Sequence, residues 1–353
     1  MVLVYINSTT GLSKAALETV TYGKKLSGDV TVITNGSASN EQLAQLGEYG
    51  ASKVLVDRSV DGEDPQQLAR LVAAVADQVS ASTVIFSHDI YGKAVRSRNL
   101  VDGKIDEFTV DEHVGFQIPR VVGGDILGTA NGPVLRDKDG TIHKLPTRAV
   151  VDGDDQAGVI RWNDAKVSPD GYLFLGSMAY ENQSDQGALY RLSKDGKKME
   201  RLFGSVGISN GMDWSVDSKR MFYIDTLTLR VDQFDYLNGE ISNRRPLVEV
   251  TEGMGYPDGM CSDANDNIWV AFWLGSCVRC FDGKTGKQIE EIKLPTQKIT
   301  SCVFAGEKLD QLIITSAVGN PGEQIDLQAF PQAGLTFIAT PGVVGKKTTL
   351  FGA

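Results

Sequence analysis

Six short apolar runs recur along the chain at nearly constant spacing. Successive runs start 42, 47, 48, 47 and 44 residues apart, at Val84, Ile126, Leu173, Met221, Ile268 and Leu312. Turn-forming words such as SPDG, SKDG, LNGE and DAND separate them. Units of this length, each with strand and turn signals, are typical of a β-propeller with six four-stranded blades rather than a sandwich.

Residues 1–83 follow a different pattern, in which strands alternate with helices. The predicted strands are MVLVYI, DVTVITNG, SKVLVD and TVIFSHD, and the predicted helices cover 13–27 and 40–49, with a third beginning at an Asp64 N-cap and Pro65. Right-handed crossovers make this a parallel, Rossmann-like half-sheet. The segment contains no GxGxxG and no Walker loop, so no nucleotide site is predicted from motif.

Polar side chains recur about ten residues before three of the apolar runs. Asn163, Asn210 and Asp258 stand 47 and 48 residues apart. Equivalent positions of successive blades lie on one ring, so their oxygens are expected to meet at the mouth of the central channel. Such hard oxygen ligands suit Ca²⁺, Mg²⁺ or Mn²⁺. Each residue taken alone is also explained by the preference of Asn and Asp for turns.

Several separated motifs resemble one family. They are RWNDAKVSPDG, GISNGMDW, YPDGM, LPTQKITSCVFAG, ISNRR and AGLTFIATPGVVG, in that family's order. From about residue 100 to the end, the chain resembles the senescence-marker-protein, gluconolactonase and luciferin-regenerating-enzyme family, also called regucalcins. The resemblance implies a six-bladed propeller enzyme that hydrolyses sugar lactones. It also implies a divalent metal cofactor, Ca²⁺ or alternatively Zn²⁺, Mg²⁺ or Mn²⁺.

The resemblance also implies roles for individual residues. Asn210 and Asp258 correspond to metal ligands, Arg161 and Asn163 to substrate contacts, and Glu181 to a substrate-binding acid. The implied metal polarises the lactone carbonyl and lowers the pKa of a water, and Asp258 is predicted to be the catalytic base. Arg161 would orient substrate oxygens, and Glu181 would accept hydrogen bonds from sugar hydroxyls.

One family motif is missing. The family's first blade opens with a GE-x-P-x-W word that supplies a metal-binding Glu, and no such word stands in register here. The predicted propeller, 84–353, therefore has an incomplete first blade. A site with fewer carboxylates binds a cation less tightly. A calcium-binding propeller without catalysis is therefore the alternative to a lactonase.

The N-terminal segment resembles a second family. MVLVYINSTTG, LAQLGEYGASKVLV and TVIFSHDIYGKAV are similar to the N-terminal domain of the electron-transfer flavoprotein α subunit, over about residues 1–95. That resemblance implies an electron-transfer role and a partner of the flavoprotein β type. No flavin is expected, because the family's flavin site lies mainly in a domain that this sequence lacks. Residues 83–97 fit both patterns, so the predicted boundary after residue 83 is an ambiguous junction, where two genes are hypothesised to have joined.

Composition narrows the remaining choices. The formal net charge of −10 argues against nucleic acid or an anionic membrane as partner. No stretch approaches the ~20 apolar residues of a membrane span, and no leader pattern is present, which predicts a soluble cytoplasmic protein. The four cysteines lie between 261 and 302, too sparse for a disulfide scaffold. The three histidines form no metal motif, and no GxSxG elbow is present.

Overall fold

The computed structural model describes most of the chain. The described residues are 1–8, 12, 14–36, 38–59, 65–81, 83–86, 94–98, 105–110, 112–154, 156, 158–181, 185–319 and 329–352. The chain divides into two compact units, Met1–Tyr91 and Gly92–Ala353. The division falls inside the junction 83–97.

The first unit is a parallel sheet with helices. Its elements are β1 (Val2–Ser8), α1 (Lys14–Leu26), β2 (Val30–Gly36), α2 (Asn40–Gln45), β3 (Lys53–Val56), α3 (Pro65–Gln78) and β4 (Thr83–Phe86). The strand order is β3-β2-β1-β4, and all three pairings are parallel. The apolar alternation of β1 and β2 supplies the buried Val4, Ile6 and Val32. A parallel N-terminal sheet is therefore present, as predicted.

The three helices differ from prediction mainly at their ends. α2 begins with a capping box, in which Ser39 Oγ accepts from the Gln42 amide and Gln42 Oε1 accepts from the Ser39 amide. It ends at Gln45, earlier than predicted, because the amides of Gly47 and Glu48 bond to carbonyls three residues back and form turns instead. The predicted N-cap of α3, Asp64, lies outside the described residues.

The second unit is a β-propeller. Its first described strands, β5 (Ala94–Arg98) and β6 (Ile105–Thr109), form a separate antiparallel pair. Blade 1 comprises β7 (Val114–Pro119), β8 (Asp125–Thr129), β9 (Gly132–Arg136) and β10 (Ile142–Lys144), and is followed by the short helix α4 (Arg148–Asp152). Blade 2 comprises β11 (Ile160–Val167), β12 (Leu173–Ala179), β13 (Gly187–Leu192) and β14 (Met199–Val206).

The remaining blades repeat this antiparallel arrangement. Blade 3 comprises β15 (Ser209–Trp214), β16 (Arg220–Asp225), β17 (Arg230–Leu237) and β18 (Glu240–Glu249), with a 3₁₀ turn at Thr226–Thr228. Blade 4 comprises β19 (Tyr256–Ser262), β20 (Asn267–Trp273), β21 (Cys277–Asp282) and β22 (Gln288–Lys293). Blade 5 has three described strands, β23 (Ile299–Ala305), β24 (Gln311–Ser316) and β25 (Thr336–Ala339).

The apolar repeat marks one strand of each blade. Five of the six runs form second strands, namely β8, β12, β16, β20 and β24. The run at Val84 instead belongs to β4, which pairs with β1 of the parallel sheet. The described residues therefore contain five blades, and the predicted count of six is not confirmed. The period of the sequence cannot distinguish a blade strand from a parallel strand, because both are short apolar runs.

Apolar clusters fill the spaces between neighbouring blades. Phe116 and Ile126 of blade 1 pack with Trp162 and Leu173 of blade 2, and three similar clusters join the following pairs of blades. Strand alternation sends side chains to both faces of a blade. No helix in the described part of the chain is long and apolar enough to cross a membrane.

Candidate functional site

The first strand of each of the five described blades carries a bulge. Consecutive strands of this inner set, which comprises β7, β11, β15, β19 and β23, contact each other. Their pairing with the second strand shifts register between Val114 and Phe116, Trp162 and Ala165, Ser209 and Met212, Pro257 and Met260, and Ile299 and Ser301. Bulges are common beside active sites, where they re-aim side chains. Residues at or beside all five bulges line the same cavity.

A cavity of about 890 Å³ lies at these bulges. Its polar lining includes Arg161, Asn163, Asn210 and Asp258, which are four of the five residues singled out from the sequence. Its apolar lining includes Phe116, Met178, Ile208, Leu227, Tyr256 and Trp273. The volume falls in the range of small-molecule sites.

A chain of hydrogen bonds fixes the polar side chains across three blades. Arg161 Nη1 donates to Asn163 Oδ1 at 2.7 Å, and Asn163 Nδ2 donates to Asn210 Oδ1 at 2.9 Å. Asn210 Nδ2 then donates to Thr226 Oγ1 at 2.7 Å, and the Thr226 hydroxyl donates to the Pro257 carbonyl at 2.7 Å. Asn210 is buried, so these bonds hold its amide in one orientation next to Asp258.

Glycines allow the inner strands to approach one another. A Cβ at Gly211 would lie 2.6 Å from the Met260 amide nitrogen, and a Cβ at Gly259 would lie 2.4 Å from Ser301 Oγ. Both contacts are too short for a side chain. Packing between blades therefore requires glycine after Asn210 and after Asp258.

The two carboxylates of the cavity lining, Asp258 and Asp164, are close enough to interact electrostatically. Burial and the nearby Asp164 carboxylate together raise the pKa of Asp258 well above its ordinary value, against the opposing effects of the Gly259 amide and Arg161. Burial likewise raises the pKa of Asp164. Like charges in a poorly solvated site disfavour ionisation of both groups. A cation between them would remove this penalty.

Arg161 is the positive group of the cavity. Burial lowers the pKa of its guanidinium, while Tyr180 and Asp258 act in the opposite direction. The guanidinium carbon lies 5.8 Å from the centre of the Tyr180 ring. With one donor on Asn163, the planar fork is held at the cavity wall, where it can bind substrate oxygens.

The structure separates one predicted site residue from the others. Glu181 is exposed on the turn after β12, outside the set of described residues that line the cavity. Asp164, which the sequence argument did not select, lines the cavity beside Asn163. Consecutive strand residues normally face opposite sides, and the bulge between Trp162 and Ala165 removes that alternation. The adjacent N and D of the RWND word were the available signal.

The donor set suits a hard cation. Asn210 Oδ1 and the carboxylates of Asp258 and Asp164 could hold one. Among the described residues, no three His, Cys, Asp or Glu side chains are grouped as for a metal ion. A cation here would therefore depend on amide oxygens as well as carboxylates.

Comparisons with known proteins match both units. The family model "SMP-30/Gluconolactonase/LRE-like region" matches residues 76–318, and the model "Electron transfer flavoprotein domain" matches residues 2–98. Human regucalcin is 43% identical over 252 residues, covering 69% of this chain and 81% of that protein. Zebrafish regucalcin is 37% identical over 257 residues, covering 71% and 84%.

Solved structures agree with the sequence comparison. A luciferin-regenerating enzyme matches with a TM-score of 0.68 and 28% identity, over 75% of this chain and 90% of that one. A calcium-binding regucalcin from Agrobacterium tumefaciens matches with a TM-score of 0.67 and 24% identity, over 74% and 87%, which supports the fold. The chain belongs to the SMP-30/gluconolactonase/LRE-like family, with an electron-transfer-flavoprotein-like segment at its N-terminus.

Proposed function

We propose that the propeller unit is a divalent-metal-dependent hydrolase of sugar lactones and related esters. The observation that carries this proposal is the shared cavity, in which Asn210 and Asp258 from neighbouring inner strands lie with Arg161 and Asn163. The family membership supports it, because one structural relative is described as a gluconolactonase.

Asn210 and Asp258 would hold the metal, with Asp164 as an additional carboxylate. Ca²⁺ is the first candidate, with Mg²⁺, Mn²⁺ and Zn²⁺ as alternatives. When bound, such an ion supplies Lewis-acid polarisation of a carbonyl and acidifies water. The raised pKa of Asp258 means that its ionised form is unfavourable in the metal-free cavity, and a bound cation would stabilise that form.

The remaining chemistry falls to the side chains of the cavity. Asp258 would accept a proton from the attacking water as general base. Arg161 would bind the ring or ester oxygens of the substrate, and Asn163 would position Arg161 and Asn210 through its hydrogen bonds to them. Glu181 stays a predicted substrate contact, outside the cavity lining.

The test separates metal binding from turnover. Chelator-treated protein should bind Ca²⁺ in calorimetry and should hydrolyse gluconolactone only after a divalent ion is restored. Asp258→Asn should reduce the hydrolysis rate by at least about 100-fold. Asp195→Asn, an exposed carboxylate on the β13–β14 turn, is the matched control and should leave the rate unchanged. Chelator-insensitive hydrolysis, or full activity of Asp258→Asn, would contradict the proposal.

A calcium-binding propeller without catalysis is the second candidate. It is favoured by the missing Glu of the family's first blade, because this chain then offers the metal one carboxylate fewer than the family does. Calcium binding that depends on Asp258, combined with an intact panel of lactones and esters, would select this candidate over the hydrolase.

The N-terminal unit has its own proposed partner. Its match to the electron transfer flavoprotein domain and its strand order support a Rossmann-like half-sheet that binds a protein of the flavoprotein β type. A pull-down with purified β subunit, using residues 92–353 as the control bait, tests this. If residues 92–353 retain the β subunit as well as the full chain does, or if the full chain does not retain it, the N-terminal unit is excluded as its binding site.

A further inference from the structure

A second cavity lies further along the same inner strands. It has a volume of about 200 Å³ and includes Lys166, Asp213 and Cys261 in its lining. Each of these follows a site residue by three positions, Asn163, Asn210 and Asp258 respectively. At ~3.3 Å per strand residue, the two cavities lie at different levels of the channel.

The C-terminal segment closes this second cavity. Gly345 forms a bridge with Asp263 of blade 4, and Phe351 forms a bridge with Arg120 of blade 1. Residues 346–349 between these two bridges line the cavity. A Cβ at Gly345 would lie 2.1 Å from Phe304 Cβ, so the segment packs directly on blade 5.

The lining has more positive than negative charge. It contains three lysines, Lys166, Lys346 and Lys347, and one carboxylate, Asp213, although the whole chain carries −10. Lys166 Nζ lies 2.8 Å from Asp213 Oδ2, and Lys346 Nζ lies 3.3 Å from Asp213 Oδ1. Both lysine side chains are mostly buried, with 22% and 23% exposure.

The Asp213 carboxylate accepts four hydrogen bonds, whereas Lys166 and Lys346 do not use all of their donors. Its Oδ2 also accepts from the Ser262 amide and its Oδ1 from the Trp214 amide. Each ammonium has three N–H donors. Within the described residues, Lys166 donates to Asp213, and Lys346 donates to Asp213 and to the Trp214 carbonyl. At least one N–H donor of each ammonium group is therefore left without a partner among the described residues.

We propose that this second cavity binds a small oxyanion, either inorganic phosphate or the phosphate group of a monoester. The two mostly buried ammonium groups and the exposed Lys347 supply the charge, and Ser218, Thr348 and Thr349 add hydroxyl-bearing side chains to the lining. The volume is below the ~300 Å³ at which drug-sized ligand sites begin, which restricts the occupant to a single small anionic group.

Calorimetry with inorganic phosphate tests the proposal. The full chain is titrated after chelator treatment, so that a metal in the first cavity cannot bind the phosphate. We expect saturable binding with a dissociation constant below about 1 mM. A parallel titration with glycerol phosphate distinguishes the two sources, because the tighter of the two identifies free phosphate or a monoester. No binding of either would overturn the proposal.

Three variants localise the binding. Lys346→Met should weaken phosphate binding by about tenfold or more, because one charged donor is lost. Lys197→Met removes the same charge from an exposed side chain and should have no effect. Arg161→Met removes the positive group of the first cavity and should also leave the affinity unchanged. Loss of binding in Arg161→Met with full binding in Lys346→Met would assign the phosphate to the first cavity and refute the proposal.

A measurement on the unmodified protein covers the case in which Lys346→Met does not fold. Lysines are acetylated with and without saturating inorganic phosphate, and the extent at each site is read by mass spectrometry. Phosphate should slow acetylation of Lys346 and Lys347 several-fold and leave Lys197 unchanged. Equal acetylation of Lys346 under both conditions would overturn the proposal.

Discussion

Asp213→Asn should destabilise the propeller in a pH-dependent way. Burial alone would raise the pKa of Asp213, but the Lys166 and Lys346 ammonium groups lower it to about 2. Relative to the ordinary value of 3.8, this corresponds to roughly 2 kcal/mol of folding free energy at 1.36 kcal/mol per pKa unit. The variant also leaves two lysines without their carboxylate, so we expect a loss of about 2 kcal/mol or more at pH 7.

The sign of the pH dependence follows from the lowered pKa. The stabilisation by ionised Asp213 is fully present above the unfolded pKa of 3.8 and is lost as the pH falls through the folded value of about 2. The difference in unfolding free energy between the unmodified protein and Asp213→Asn should therefore be constant from pH 7 to about pH 5, and should shrink below pH 4.

Urea denaturation followed by tryptophan fluorescence measures this difference. All four tryptophans, Trp162, Trp214, Trp269 and Trp273, belong to the propeller unit, so the signal is specific to its unfolding. Asp217→Asn changes an exposed carboxylate on the β15–β16 turn and is the matched control. A loss below about 1 kcal/mol at pH 7, or a loss that persists undiminished at pH 3, would refute the reasoning.

Three further variants probe the first cavity. Asp164→Asn should weaken calcium binding by about tenfold in calorimetry, because one carboxylate is removed, and an unchanged affinity would exclude Asp164 as a ligand. Gly259→Ala should cost about 1–3 kcal/mol in urea denaturation, since its Cβ would lie 2.4 Å from Ser301 Oγ, whereas Gly352→Ala, with no atom nearer than 3.7 Å, is the control and should be neutral. Arg161→Lys should raise KM for gluconolactone more than it lowers kcat, because the forked donor binds substrate; an equal fall in kcat and kcat/KM would assign Arg161 to the transition state instead.

The sequence determined the strand repeat and most of the first cavity. The period near 47 residues located the second strand of all five described blades, because a blade must bury one apolar strand at each repeat. The same register placed Asn163, Asn210 and Asp258 on neighbouring inner strands. Equivalent positions in a repeat occupy equivalent places in space, so the spacing alone was sufficient to bring them together.

Tertiary structure decided what the repeat could not encode. The run at Val84 became part of the parallel sheet, because its partner strand is β1, 81 residues away from it in sequence. Asp164 entered the cavity through a bulge, which breaks the alternation that sequence patterns assume. The cluster of Lys166, Asp213 and Lys346 depends on a C-terminal segment that returns to blade 3 across 133 residues, and no local pattern specifies such a contact. Periodicity records which face of a strand is buried, whereas long-range packing determines which charges meet there.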